Sequence, residues 1–188
     1  MPEITVDGER AYQFSLPDSF LKLVHSVREQ HTSQRVDTLS QKILALDPGE
    51  TTGWATYLGG TITVSQQVTK NIGQSFNWLD AKLKAIDSYE TSRKYSMIRC
   101  EDYKVYSWKS EDHSWASLHT PQLIGAIKVA AHINHTPISF MLAQQAKKWW
   151  TDEKLDVFGL NPKGLRHGRD ALRHLLYYIL FPNSGSPD

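Results

Sequence analysis

Hydrophobic and polar positions divide the chain into a weakly patterned opening and a strongly patterned remainder. In the opening, Leu16-Pro17-Asp18-Ser19 is a helix-start signal, and Phe20, Leu21, Val24 and Val27 then recur at helical spacing. This predicts a helical appendage packed on the outside of a core, followed by a polar linker from Asp37 to Gln41. From Lys42 the pattern becomes strand-like. Lys42 to Leu46 is a short apolar run, Gly53 to Leu58 a second, and Thr61 to Val68 a third, the last two joined by the turn pair Gly59-Gly60. Connections this short force antiparallel pairing. Phe76, Leu79, Leu83 and Ile86 then share one face of a helix. A strand from Tyr95 to Asp102 follows, then a polar, aromatic loop from Tyr103 to Trp115. Leu123, Ile127 and Ala130 mark a helix over Leu118 to Ile133, Ile138 to Leu142 is a short strand, and Gln144 to Trp150 a short helix. A charged loop reaches Asn161-Pro162, whose N-cap and first-turn chemistry predicts the last helix, with Leu172, Leu175, Leu176 and Ile179 turned inward.

The order strand, strand, strand, helix, strand, helix, strand, helix builds an α/β domain. An antiparallel hairpin unit lies beside strands reached by right-handed crossovers. This is the order of the ribonuclease H-like architecture: a mixed five-stranded sheet flanked by helices. The expected division is an N-terminal helical appendage and linker at 1–40, the main domain at 41–183 and a tail at 184–188. The composition agrees: 188 residues, 40% hydrophobic and 22% charged, suit one globular domain. Cys100 is the single cysteine, so no internal disulfide forms and a reducing, cytoplasmic setting fits, in a bacterial or phage-infected cell. No apolar run is long enough to cross a bilayer, so no membrane partner is expected. The opening Met1-Pro2-Glu3-Ile4-Thr5 does not read as a secretory signal. A net charge of +1 provides no global field for nucleic acid, so any such surface must be local.

Candidate chemistry sits at the ends of the apolar strands. Asp47 closes Lys42 to Leu46 and is followed by Pro48-Gly49, which is equally good turn chemistry. Glu101-Asp102 closes the fourth strand, and because side chains alternate only one of the two can face a shared site. In the last helix His167 and Asp170 stand three residues apart on one face. Sites in open sheets form outside the carboxyl ends of neighbouring strands. A helix crossing those ends would bring His167 and Asp170 to Asp47 and Glu101. Two divalent ions about 4 Å apart could then bind an attacking water and the leaving oxygen of a phosphodiester.

Three stretches carry a more specific likeness: Ala45-Leu46-Asp47-Pro48-Gly49-Glu50-Thr51-Thr52-Gly53-Trp54-Ala55, Glu101-Asp102-Tyr103-Lys104-Val105-Tyr106, and Arg166-His167-Gly168-Arg169-Asp170-Ala171-Leu172-Arg173-His174. Together they resemble the RuvC-type Holliday junction resolvases, in particular the phage-encoded branch, over about Lys42 to Phe181. The resemblance implies a metal-dependent endonuclease that resolves four-way junctions by paired nicks as a homodimer, with two Mg²⁺ or Mn²⁺ ions. It makes Asp47 the carboxylate bridging both ions, Glu101 a ligand of one, and Asp170 with His167 the remainder of the catalytic set. An imidazole suits Mn²⁺ better than Mg²⁺, so His167 is either a ligand favouring Mn²⁺ or a group that positions water or leaving group.

Gripping and opening a branched DNA calls for cations on phosphates and aromatic rings on bases. Candidates are Tyr103, Lys104, Tyr106, Trp108 and Lys109 in the loop after Glu101, Lys147 and Lys148 beside Trp149-Trp150, and Arg166 and Arg169 around His167. Trp54 and Trp78 read as core, while for Trp108 core and wedge are balanced. The dimer interface is expected on Leu118 to Ile133. Other readings are a flap or fork nuclease of the same fold, an actin-like or sugar-kinase-type ATPase on the strength of Asp47-Pro48-Gly49-Glu50-Thr51, and a non-catalytic binding module.

Overall fold

The computed structural model describes residues 2–6, 8–30, 36–68, 71–84, 95–103, 119–184 and 186–187. The elements are β1 (Glu3–Val6), β2 (Glu9–Ser15), α1 (Asp18–Gln30), β3 (Ile43–Asp47), β4 (Thr51–Leu58), β5 (Thr61–Val68), α2 (Ile72–Lys84), β6 (Met97–Asp102), α3 (His119–Ile133), β7 (Ile138–Leu142), α4 (Ala143–Trp149), α5 (Asp152–Val157), α6 (Arg166–Leu180) and β8 (Ser186–Pro187). Among the described residues the strands form one sheet in the order β1-β2-β5-β4-β3-β6-β7-β8. The meander β3-β4-β5 is antiparallel, whereas β6 lies parallel to β3 and β7 parallel to β6. That is the mixed α/β sheet expected.

Period-two alternation distributes the core over two faces. Ile43, Ala45, Ala55, Tyr57, Ile62 and Val64 join one cluster with α1 and α6. Leu44, Leu46, Trp54, Ile98 and Cys100 join the other with Leu79 of α2 and the apolar stripe of α3. The central strand β3 is buried over its whole length, as a strand covered on both faces must be. Trp150 is fully buried, its ring centroid 5.7 Å from those of Phe20 and Phe158, and this aromatic knot fastens α1 and α5 to the α4 end.

Several local expectations change. Among the described residues the sheet has eight strands rather than five. β1 and β2 form a hairpin, and β2 extends the meander by pairing antiparallel with β5. The N-terminal segment is therefore strand, strand, helix, not helix alone; its strands are short and alternate too imperfectly to register as a period of two. The expected helix does bury Phe20, Val24 and Val27 against the core. The polar run after it is anchored, because Thr38 is buried and its hydroxyl donates to the Ile179 carbonyl. The loop after Trp150 contains α5, capped by Thr151, whose hydroxyl accepts from the Lys154 amide, with Asp152 and Glu153 in the favourable first turn. Asn161-Pro162 does not start the last helix, which begins at Arg166; Asn161 is instead buried and donates to Asp156. The tail residues Ser186 and Pro187 pair with Phe140 and Ser139 of β7.

Candidate active site

Strand parity decides which carboxylates can meet. Asp47 continues the face of Ile43 and Ala45, which look toward α6. On β6, Ile98 and Cys100 look toward α2 and α3, and Met97 packs on the α6 side, so Glu101 shares that side and Asp102 does not. The parallel register pairs Ala45 with Arg99 and Leu46 with Cys100. One further step along both strands sets Asp47 beside Glu101. Asp102 is exposed.

The helix α6 closes the site from above, and two glycines let it come down. Gly53 is the cross-strand partner of Asp47. A Cβ at Gly53 would stand 1.9 Å from the His167 carbonyl oxygen and 2.1 Å from its carbon. A Cβ at Gly168 would stand 2.7 Å from the Ser65 carbonyl oxygen. The first turn of α6 therefore lies backbone to backbone on β4 and β5, and the His167 amide donates to Oε1 of Gln66 at 3.2 Å. This seating brings His167 Nδ1 to 2.8 Å from Oδ2 of Asp47. One turn on, Asp170 receives Nζ of Lys147 at 3.1 Å and the guanidinium of Arg173. Another turn on, Nε2 of His174 lies 3.0 Å from Oε2 of Glu101.

The electrostatics of Asp47 reflect this crowding. Burial pushes its carboxyl above the usual carboxylate range, and the neighbouring charges of Glu101 and Asp170 push the same way, against the hydrogen bond from His167. His167 in turn is held above the ordinary imidazole value by that bond, against the opposing effect of its own burial. The donor set (three carboxylates and an imidazole) is oxygen-rich and suits a hard divalent cation. Among the described residues no three His, Cys, Asp or Glu side chains are drawn together as a ready metal cluster. Each acid is instead engaged by a basic neighbour: Asp47 by His167, Glu101 by His174, and Asp170 by Lys147 and Arg173. The like-charge strain on Asp47 is what a cation would relieve, so the residues fit one.

Of the expected DNA contacts, Lys147, Lys148 and Arg166 are exposed on α4 and at the start of α6. Arg169 is turned inward, with Nη1 3.2 Å from Oδ2 of Asp152. Tyr103 packs partly buried against the α2–α3 core. Lys104, Tyr106, Trp108 and Lys109 lie outside the described residues. Trp54 is buried and Trp78 is packed against the same cluster, both as core. Three polar residues escaped the reading of the sequence as parts of this site. Arg173 is nearly buried and spends its donors on the Trp150 carbonyl, Asp170 and Asp152. Asp152 binds both Arg169 and Arg173. His174 is 1% exposed. The available signal was spacing: His174 falls seven residues after His167 and four after Asp170, on the same helical stripe.

No protein-family profile matches the sequence, and no curated protein sequence matches it either. Solved structures do. Thermus thermophilus RuvC in complex with Holliday junction substrate superposes with a TM-score of 0.56 at 17% identity, over 79% of this chain and 99% of that one. A second Thermus thermophilus RuvC structure gives 0.54 at 15% identity, over 78% and 99%. The yeast mitochondrial Holliday junction resolvase Ydc2 gives 0.51 at 12% identity, over 88% and 93%. The mixed sheet, the helix laid across its acidic strand ends and these superpositions agree on the fold: the chain is built like the Holliday junction resolvase structures on which it superposes.

Proposed function

We propose that this protein is a metal-dependent endonuclease that resolves four-way DNA junctions by paired nicks. The observation that carries the reading is that one face of α6 reaches acids on two strands, His167 meeting Asp47 at 2.8 Å and His174 meeting Glu101 at 3.0 Å, with Asp170 between the two histidines. Asp47, Glu101 and Asp170, with His167, would hold two Mg²⁺ or Mn²⁺ ions. When bound, such ions supply a nucleophilic hydroxide at neutral pH and stabilise the leaving oxygen.

The protein's own residues do the remaining work. Asp47 sits on the rigid central strand, so its carboxylate is fixed by the core rather than by a loop. His167 is half-exposed beside it, and with Nδ1 held on Asp47 its Nε2 is the nitrogen that can take or give a proton. Lys147, 45% exposed while its Nζ rests on Asp170, can exchange that carboxylate for a DNA phosphate. Lys148 and Arg166 offer further exposed cations. A homodimer would present two such sites to two symmetric strands, and Val129 and Ile133 leave an apolar part of α3 exposed for a second copy.

The test uses labelled four-way junction, replication fork and linear duplex, each with Mg²⁺ or Mn²⁺, and Asp47→Asn as control. Symmetric nicks in the junction alone support the proposal. Equal cutting by the Asn variant removes the site. Preferential cutting of forks or flaps would reassign the substrate within the same chemistry.

A further inference from the structure

The helix α6 carries a third group on the stripe that faces the acids, one to which neither the resemblance nor the proposed chemistry gives a role. His174 is 1% exposed and lies in a run of buried apolar neighbours, Leu172, Leu175, Leu176 and Ile179. Its Nε2 meets Glu101 at 3.0 Å, and its Nδ1 is buried with no hydrogen-bond partner among the described residues. A carboxylate only accepts, so Nε2 must carry the hydrogen. A buried ring nitrogen left without a partner weakens the fold, and a leucine of similar size would avoid that cost. Packing therefore gives no reason for an imidazole here; the bond to Glu101 does.

The geometry points to His174 as a positioning residue that fixes the Glu101 carboxylate for metal binding. This rests on the nuclease reading, since it assumes that Glu101 is a ligand. His174 is too deeply buried to touch DNA, so it acts only through Glu101. The stripe His167, Asp170, His174 then has a division of labour by position. Its first imidazole reaches Asp47 on β3, its last reaches Glu101 on β6, and Asp170 lies between them. One helix thereby sets the orientation of acids on two strands. Partners that orient metal-binding carboxylates typically change affinity by about 10–100-fold when removed.

The experiment compares the full chain with its His174→Leu and His174→Gln variants. Binding of Mn²⁺ alone, without DNA, is followed through the electron paramagnetic resonance signal of the free ion, and melting is recorded without metal. The expected result is a loss of about 10–100-fold in Mn²⁺ affinity for the Leu variant, which still melts cooperatively without metal. The Gln variant, whose amide can donate to Glu101, should recover most of that affinity. In junction cleavage at saturating Mn²⁺ the Leu variant should lose kcat with KM for DNA held. Wild-type affinity in the Leu variant or no recovery in the Gln variant would each overturn the assignment and leave the nuclease reading standing. Failure of the wild-type protein to bind Mn²⁺ any better than Asp47→Asn would overturn both.

Discussion

Replacing Gly53 with alanine tests the seating of α6 on the sheet, on which the whole site depends. The added methyl would lie 1.9 Å from the His167 carbonyl oxygen, 2.1 Å from its carbon and 2.7 Å from the Gly168 nitrogen, all backbone atoms that no rotamer change can move. Real Cβ atoms essentially never approach closer than 3.0 Å, so the first turn of α6 must retreat by about 1 Å. Overpacking of this kind costs about 1–3 kcal/mol, and a clash with backbone belongs at the upper end. For a chain of this size that lowers the melting temperature by about 6–12 °C. The same retreat carries His167 away from Asp47, and a misplacement of about 1 Å can reduce a catalysed rate by about 100-fold. Gly168→Ala meets a milder contact, 2.7 Å to the Ser65 carbonyl oxygen, and gains helix propensity of about 1 kcal/mol, so it should lose much less. Gly125→Ala, on the exposed side of α3 with nothing within 4 Å of the new methyl, should be neutral or slightly stabilising. Thermal melts and junction cleavage of the three variants give the comparison. If Gly53→Ala melts with the wild type and cuts within twofold of it, α6 does not rest on β4 and the site is not held by that seating.

Asp47→Asn should abolish cleavage yet melt at or above the wild-type temperature without metal, by up to about 1 kcal/mol, because burial and two nearby acids disfavour the ionised carboxylate; a clear loss of stability would contradict this. Both Asp47 and His167 are held above their ordinary values, so their contribution to metal-free stability is complete below the unfolded values and declines as pH rises through the folded ones. For His167 the decline begins above about pH 6.5, and denaturant titrations across pH 6 to 8.5 should show a smaller slope for His167→Gln. Mn²⁺ at about 100 times its dissociation constant should stabilise the wild type by about 2.7 kcal/mol and leave Asp47→Asn almost unmoved, which calorimetry in the two conditions would reveal.

The sequence by itself determined the alternation of strands and helices from Lys42 to Trp150, and with it the mixed sheet, because a period of two or of 3.6 states directly which side of an element is buried. It also marked Asp47 and the Glu101-Asp102 pair as acids that close apolar strands, with the resemblance choosing Glu101, and His167 and Asp170 as a pair on one face of the last helix. Tertiary structure decided what local pattern could not encode. The hairpin β1-β2 becomes part of the sheet only because β5 offers it an edge, and the start of α6 moves from Asn161 to Arg166 because α5 uses Asn161 for its own purposes. Glycine at 53 and 168 has meaning only once two backbones touch, and Arg173 and His174 become parts of the site only when packing brings β6 and the α4–α5 junction within a hydrogen bond of α6. Periodicity reports burial one residue at a time, whereas a site is made of contacts between residues far apart in the chain, and those are set by the closure of the core.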